Sequence, residues 1–192
     1  MVAAQLVRIL QARQPKVILR DDSKPAAVLV PVQETDQGDC VVLTQRAPML
    51  SFHRGQVAFP GGRIDPEDAG PQDAALRESW EEIGLHPRDV RVLGQLDQVT
   101  ASSNHVVTPF VGLIPFPYEF RLNPAETTAV FTVPISALME RGCFSEETSD
   151  ARRHWGPVYH FRYQQWDIWG ATAGIVKQFL ELGYGFKAPA AL

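Results

Sequence analysis

Cysteine is scarce in this chain of 192 residues: Cys40 and Cys143 are its only two. They are too few for a disulfide framework and stand in no spacing that suits a structural zinc site. The scarcity fits a reducing compartment, and a cytoplasmic address is the expectation. A basic excess is also lacking. Against 22 Asp and Glu stand 18 Lys and Arg, a formal net charge of −4, so nothing favours non-specific binding to nucleic acid or to an anionic membrane. Any phosphate the protein handles must be met by local groups. Long apolar runs are missing too, and a stretch such as residues 26–32 falls far short of the ~20 residues that cross a bilayer as a helix. There is no repeat, low-complexity tract or linker. With 45% hydrophobic residues and a length close to that of one domain, residues 1–192 are expected to fold as a single globular domain. Homodimerisation stays open.

Residues 1–20 carry Arg8, Arg13, Lys16 and Arg20 without an acid, and Leu6, Ile9 and Leu10 share one helical face. A packed first helix is the expectation, with a transit peptide as the alternative. Short β-branched runs predict strands at residues 25–32, 40–45, 57–59, 90–99, 105–114 and 129–133. The first two are expected to form a hairpin. Residues 47–55 read as irregular, and Pro60-Gly61-Gly62 as a sheet-ending turn. Helices are expected at residues 72–83, closed by Gly84, at 136–141, and at 170–182, closed by Gly183. The aromatic segment 152–169 reads as a hairpin. Strands interleaved with helices in one domain imply an α/β fold, with helices on the faces of a mixed sheet.

The informative segment is residues 61–85. At about 100° per residue, Leu76, Trp80 and Ile83 fall on one arc of its helix, and Arg77, Glu78, Glu81 and Glu82 fill the opposite one. The first three are expected in the core and the acids on a wet face. Like charges three and four residues apart destabilise a helix by about 0.2–0.5 kcal/mol per pair. Two readings are open, an ordinary solvated face or a divalent cation that offsets the repulsion. Hard ions such as Mg²⁺ and Mn²⁺ take oxygen ligands, whereas zinc would favour His or Cys, which this helix lacks. Arg77 is placed to hold a carboxylate by a charge-assisted bond. Upstream, Gly61-Gly62 either brings backbone close to the acidic face or simply makes a turn.

The pattern Gly62, five residues, Asp68, then Arg77-Glu78-x-x-Glu81-Glu82-x-Gly84-Leu85 resembles the Nudix box. That box is the loop-helix-loop of hydrolases that split a nucleoside diphosphate linked to another group. Asp68 stands where the family has Glu, the spacer from it to Arg77 is one residue longer than in the general box, and Ser79 replaces the usual aliphatic residue. The Arg-Glu-x-x-Glu-Glu core is intact. Residues 43–62, ending in Gly55-Gln56-Val57-Ala58-Phe59-Pro60-Gly61-Gly62, are similar to the motif that precedes the box in coenzyme A pyrophosphatases. Val106-Val107-Thr108-Pro109 and residues 169–175 (Trp-Gly-Ala-Thr-Ala-Gly-Ile) are similar to later segments of that subfamily.

The resemblance implies a Nudix α/β/α sandwich. It further implies a reaction in which water, with Mg²⁺ or Mn²⁺ as cofactor, splits the pyrophosphate of coenzyme A into 3′,5′-ADP and 4′-phosphopantetheine. It carries the metal-binding glutamates onto Glu78, Glu81 and Glu82, the orienting arginine onto Arg77, and the backbone ligand onto Gly62, with Gly61 beside it. The general base stays open between Glu78 or Glu81 in the box and a later loop acid, Glu126 first and Glu119 second. Coenzyme A carries a 3′-phosphate, which guanidinium donors suit. Arg46, Arg54 and Arg63, with His53 and Gln56, are therefore the candidate substrate-binding residues. Trp166 and Trp169 are expected in the core. The alternatives are a Nudix hydrolase of ADP-ribose, a dinucleotide or a nucleoside triphosphate, and a non-catalytic Nudix-like binding module.

Overall fold

The computed structural model describes residues 2–48, 55–102, 104–147 and 157–189, with residues 2 and 3 described by backbone alone. Helix α1 (Val2–Gln11) is followed by β1 (Lys24–Thr35) and β2 (Gly38–Arg46), an antiparallel hairpin closed at Asp36 and Gln37. Next come β3 (Val57–Ala58), β4 (Gly61–Arg63), α2 (Pro71–Ile83), β5 (Arg91–Gln95), β6 (Val99–Ala101), β7 (His105–Leu113) and β8 (Thr127–Pro134). The chain continues through α3 (Ile135–Leu138), β9 (Phe144–Glu147), β10 (Val158–Tyr163) and β11 (Trp166–Trp169) to α4 (Gly170–Tyr184).

The large sheet runs β3-β2-β1-β7-β5, with β4 added to β1, β6 to β7 and β8 to β2. Strands β1 and β7 are parallel and the other pairs antiparallel, so the sheet is mixed, as expected. Its two faces bury different helices. Ala27 and Leu29 of β1 pack with Ala74, Ala75 and Ile83 of α2. Val30 and Val32 instead join Leu6 and Leu10 of α1 and Val176, Phe179 and Leu180 of α4. Successive β1 side chains thus serve opposite layers, as the pleat requires, and the result is a mixed α/β architecture with helices on both faces. Strands β9, β10 and β11 form a separate antiparallel sheet. No helix among the described residues is long and apolar enough to cross a membrane, and both cysteines are free.

Four expectations about the elements need correction. Gly61-Gly62 does not end the sheet but pairs with Val28 and Ala27 as β4. The single strand expected over residues 90–99 is two, because the backbone N–H groups of residues 97 and 98 leave the ladder. There Asp97 N–H donates to Gln178 Oε1 at 2.6 Å, and Gln98 N–H to the Lys16 carbonyl at 3.0 Å. Gly183 is not the cap of α4; a Cβ on it would lie 2.6 Å from Leu6 Cδ2, so it is small in order to let α1 approach. The cap is Gly185, at φ 68°. The helix expected at 136–141 is the short α3, and β9 was not anticipated; the hairpin in 152–169 is β10-β11, while residues 152–156 lie outside the described residues.

Candidate active site

Helix α2 starts at Pro71, whose fixed φ suits the first helical position. It stops where Gly84 turns left-handed at φ 68° and its N–H returns to the Trp80 carbonyl at 2.9 Å. Between these ends, its buried face is not the one expected. Ala74, Ala75, Ser79, Glu82 and Ile83 are buried, while Trp80 is 48% exposed and meets His86 edge-on, with ring centroids 5.1 Å apart. The inward face is rotated toward the acids by about one residue step of 100°. Side-chain size accounts for this, since two alanines and a serine let the helix lie close on β1 and β4 where an indole would hold it off. Ser79 is tolerated there because its hydroxyl donates to the Ala75 carbonyl at 2.6 Å.

The rotation carries Glu82 inside, and it is only 2% exposed, not on the wet face expected. One carboxylate oxygen accepts from Gly61 N–H at 3.2 Å and the other from Arg46 Nη1 at 3.3 Å. Burial nevertheless pushes its carboxyl up to about 7, with Glu78 and Glu126 adding to the rise and Arg46 and Gly61 opposing it. Burial also raises Glu78, against the pull of Arg77. Ligand oxygens of Glu78, Glu82 and Glu126 converge within 4.8 Å of one another. Glu126 comes from the loop before β8. It is held there by Asn123 Nδ2 on its carboxylate at 3.1 Å, and its carbonyl accepts from Ala47 N–H at 2.8 Å.

The glycine pair is built into this geometry. Gly61 sits at φ 149°, and a Cβ on it would be 2.3 Å from the Ala27 carbonyl oxygen. At Gly62 a Cβ would fall 2.4 Å from the Glu78 carboxylate. Glycine here lets strand backbone come directly against an acid, the first of the two uses left open above. Three oxygen donors crowded in a desolvated place, two of them with raised affinity for protons, suit a hard divalent cation. Glu78 and Glu82, with Glu126 and the Gly62 backbone beside them, are the residues that could hold it.

Arg77 organises the outer side. Its Nε and Nη2 donate to the two oxygens of Asp68 at 2.8 and 3.0 Å, its Nη1 to Glu78 at 3.2 Å and Glu81 at 2.9 Å, and its Nη2 also to the Arg63 carbonyl at 3.1 Å. That bond from Arg77 holds Asp68 below the usual carboxylate range and, in return, Asp68 stabilises the guanidinium charge. Glu81 is thus engaged by Arg77 and is not a member of the converging trio; Glu119 is exposed and likewise outside it.

Arg46, Gln56 and Arg63 all line a cavity of about 1030 Å³ that begins at Gly61 and Gly62. The Nε of Arg46 is buried with no hydrogen-bond partner among the described residues. His53 and Arg54 lie outside the described residues. Trp166 stacks on Phe131 with centroids 4.2 Å apart, but Trp169, expected in the core, is 37% exposed and lines the cavity. Two further roles escaped the sequence reading. The clamp from Asp68 to Arg77 was hidden by the longer spacer, and the joining of Glu126 to the box acids depends on a contact between distant parts of the chain.

A family model described as NUDIX domain matches residues 23–168. A relative from Photorhabdus laumondii named "Uncharacterized Nudix hydrolase NudL" is 39% identical over 172 residues, covering 90% of this chain and 91% of that protein. Among solved structures, a MutT/nudix family protein from Enterococcus faecalis superposes with a TM-score of 0.55 at 16% identity, covering 92% of this chain and 67% of that one. A C. elegans Ap4A hydrolase gives 0.51 at 18% identity, covering 58% and 80%. At these identities the structural likeness is one of fold.

Proposed function

The chain belongs to the NUDIX domain family, and from that premise we propose that it is a divalent-metal-dependent hydrolase of coenzyme A that releases 3′,5′-ADP and 4′-phosphopantetheine. The observation that carries the reading is the convergence of Glu78, Glu82 and Glu126, two of which adjoin Gly61 and Gly62 in the wall of a cavity large enough for a nucleotide derivative. The relatives' name, Nudix hydrolase, supports hydrolysis of a nucleoside diphosphate derivative. The finer choice of coenzyme A is supported by the similarity of residues 43–62 to the motif of coenzyme A pyrophosphatases.

Glu78 and Glu82, with Glu126 beside them, would hold Mg²⁺ or Mn²⁺. When bound, such an ion neutralises non-bridging phosphate oxygens and acidifies water. The protein's own groups do the rest. Arg77, fixed by Asp68, keeps Glu78 from swinging outward. Arg46 stands beside Glu82, with its Nε unpartnered among the described residues, and donates to a phosphate oxygen, where a guanidinium is well suited. Glu126 is the proton acceptor for the attacking water, favoured over Glu81 because Glu81 is bonded to Arg77 and lies outside the trio. Positioning and electrostatics of this kind supply most of the acceleration in phosphoryl transfer.

The test is a substrate panel. Purified protein with Mg²⁺ or Mn²⁺ is incubated with coenzyme A, ADP-ribose and a diadenosine polyphosphate, and products are separated by chromatography. The reading expects coenzyme A to be turned over fastest, to the two named products. A clear excess on ADP-ribose or the dinucleotide would replace coenzyme A while leaving the hydrolase in place.

A further inference from the structure

The cavity lined by Gly61 and Gly62, which adjoin Glu82 and Glu78, extends to the β10-β11 hairpin and the start of α4, so a group attached to a diphosphate bound at the carboxylates has room to extend along it. Phe59, Tyr159 and Trp169 are the described Phe, Tyr and Trp side chains in its wall. Phe59 is buried in the core. Tyr159 packs on Phe144 at 5.8 Å and has Lys177 Nζ 5.2 Å from its ring centroid. Trp169 differs from both in being 37% exposed.

Its orientation is also supported from behind. His160, its cross-strand partner, lies nearly parallel to the indole at 15°, with centroids 6.4 Å apart. The imidazole is held in turn by Asp167 at 3.0 Å from Nδ1. A large, partly exposed π-surface steadied by one ring in the wall of a cavity suits a stacking platform, because a nucleobase offers a flat π-face of matching size.

We propose that Trp169 is a specificity-determining residue, the platform on which the nucleobase of the diphosphate substrate stacks. The inference rests on the diphosphate site described above and adds which half of the substrate the cavity takes. It commits the nucleoside arm to the Trp169 wall.

The probe is ADP, with inorganic pyrophosphate as the control that keeps the two phosphates and lacks the base. Each is titrated calorimetrically into the full chain with Mg²⁺ present. Trp169→Leu should weaken ADP by about ten-fold or more, the range of aromatic stacking on a base, with pyrophosphate little changed, and Trp169→Phe should retain most of the affinity. An unchanged ADP affinity in Trp169→Leu, or equal losses for ADP and pyrophosphate, would overturn the assignment. A measurement on the unaltered protein does not depend on the variants folding. The adenine H2 and H8 resonances of ADP should move upfield on binding, by the indole ring current, and unmoved resonances would overturn the proposal. Because coenzyme A cleavage is not read here, a protein that stacks ADP on Trp169 yet leaves coenzyme A intact would refute the choice of substrate alone. Failure of both ADP and pyrophosphate to bind the wild type would refute the diphosphate site beneath both readings.

Discussion

Asp68 holds Arg77 in a two-pronged grip, Nε to Oδ1 at 2.8 Å and Nη2 to Oδ2 at 3.0 Å, with the Asp68 side chain only 3% exposed. The acid at the first box position thus acts on the arginine and through it on Glu78 and Glu81, away from the converging trio. Asp68→Ala should lower kcat/KM by about 10- to 100-fold, the usual effect of removing a group that orients a ligand, and should weaken Mn²⁺ affinity in parallel. Steady-state kinetics with a Mn²⁺ titration check both; activity and affinity within two-fold of wild type would contradict the role.

Gly62→Ala tests the close approach of strand to acid. The added methyl would occupy the position of the Glu78 carboxylate, 2.4 Å away, so Glu78 must swing aside. A displacement of roughly 1 Å costs about 100-fold in rate. The variant should therefore fold, by circular dichroism, and lose about that much activity.

Trp80→Ala should cost little stability, about 1 kcal/mol or less, because the indole is 48% exposed and its edge contact with His86 is the kind worth roughly 0.5–1.5 kcal/mol. Urea unfolding at equal m-value checks it. A loss of about 3 kcal/mol or more, the range for a buried aromatic, would mean that the wheel reading of the sequence had the right face after all.

That rotation shows where sequence reasoning stopped. Apolar periodicity located α2 to within one residue and put Leu76, Trp80 and Ile83 on one side, but periodicity counts hydrophobicity and ignores bulk. Ala74, Ala75 and Ser79 face β1 because they are small, and Glu78 and Glu82 ride inward with them. The β1-β2 hairpin, the mixed sheet and the box acids were legible because each is a local pattern. Glu126 was legible as a loop acid only, since its meeting with Glu82 is set by the β2-β8 pairing. Trp169 read as core because an apolar run gives no sign that a cavity lies beside it.

The buried acid predicts a pH dependence in the metal-free protein. Burial raises Glu82 to about 7 from its ordinary 4.5. Between those values the folded chain holds a proton that the unfolded chain has already lost, so stability falls as pH rises through that window and levels off above about pH 7. Thermal melts in chelator should show that decline. Glu82→Gln should flatten it and, at pH 8, raise metal-free stability by about 1–3 kcal/mol, while abolishing most activity. A flat profile for the wild type would contradict the burial of the charge.

The central claim is that Glu78 and Glu82, with Glu126 beside them, hold a divalent ion, and Mn²⁺ binding followed by electron paramagnetic resonance tests it most directly. The free-ion signal should fall as wild-type protein is added. Glu78→Gln and Glu82→Gln should each weaken the uptake by about ten-fold or more, while Glu119→Gln leaves it unchanged. Equal Mn²⁺ uptake by wild type, Glu78→Gln and Glu82→Gln, or no uptake by the wild type even with ADP present, would contradict the account.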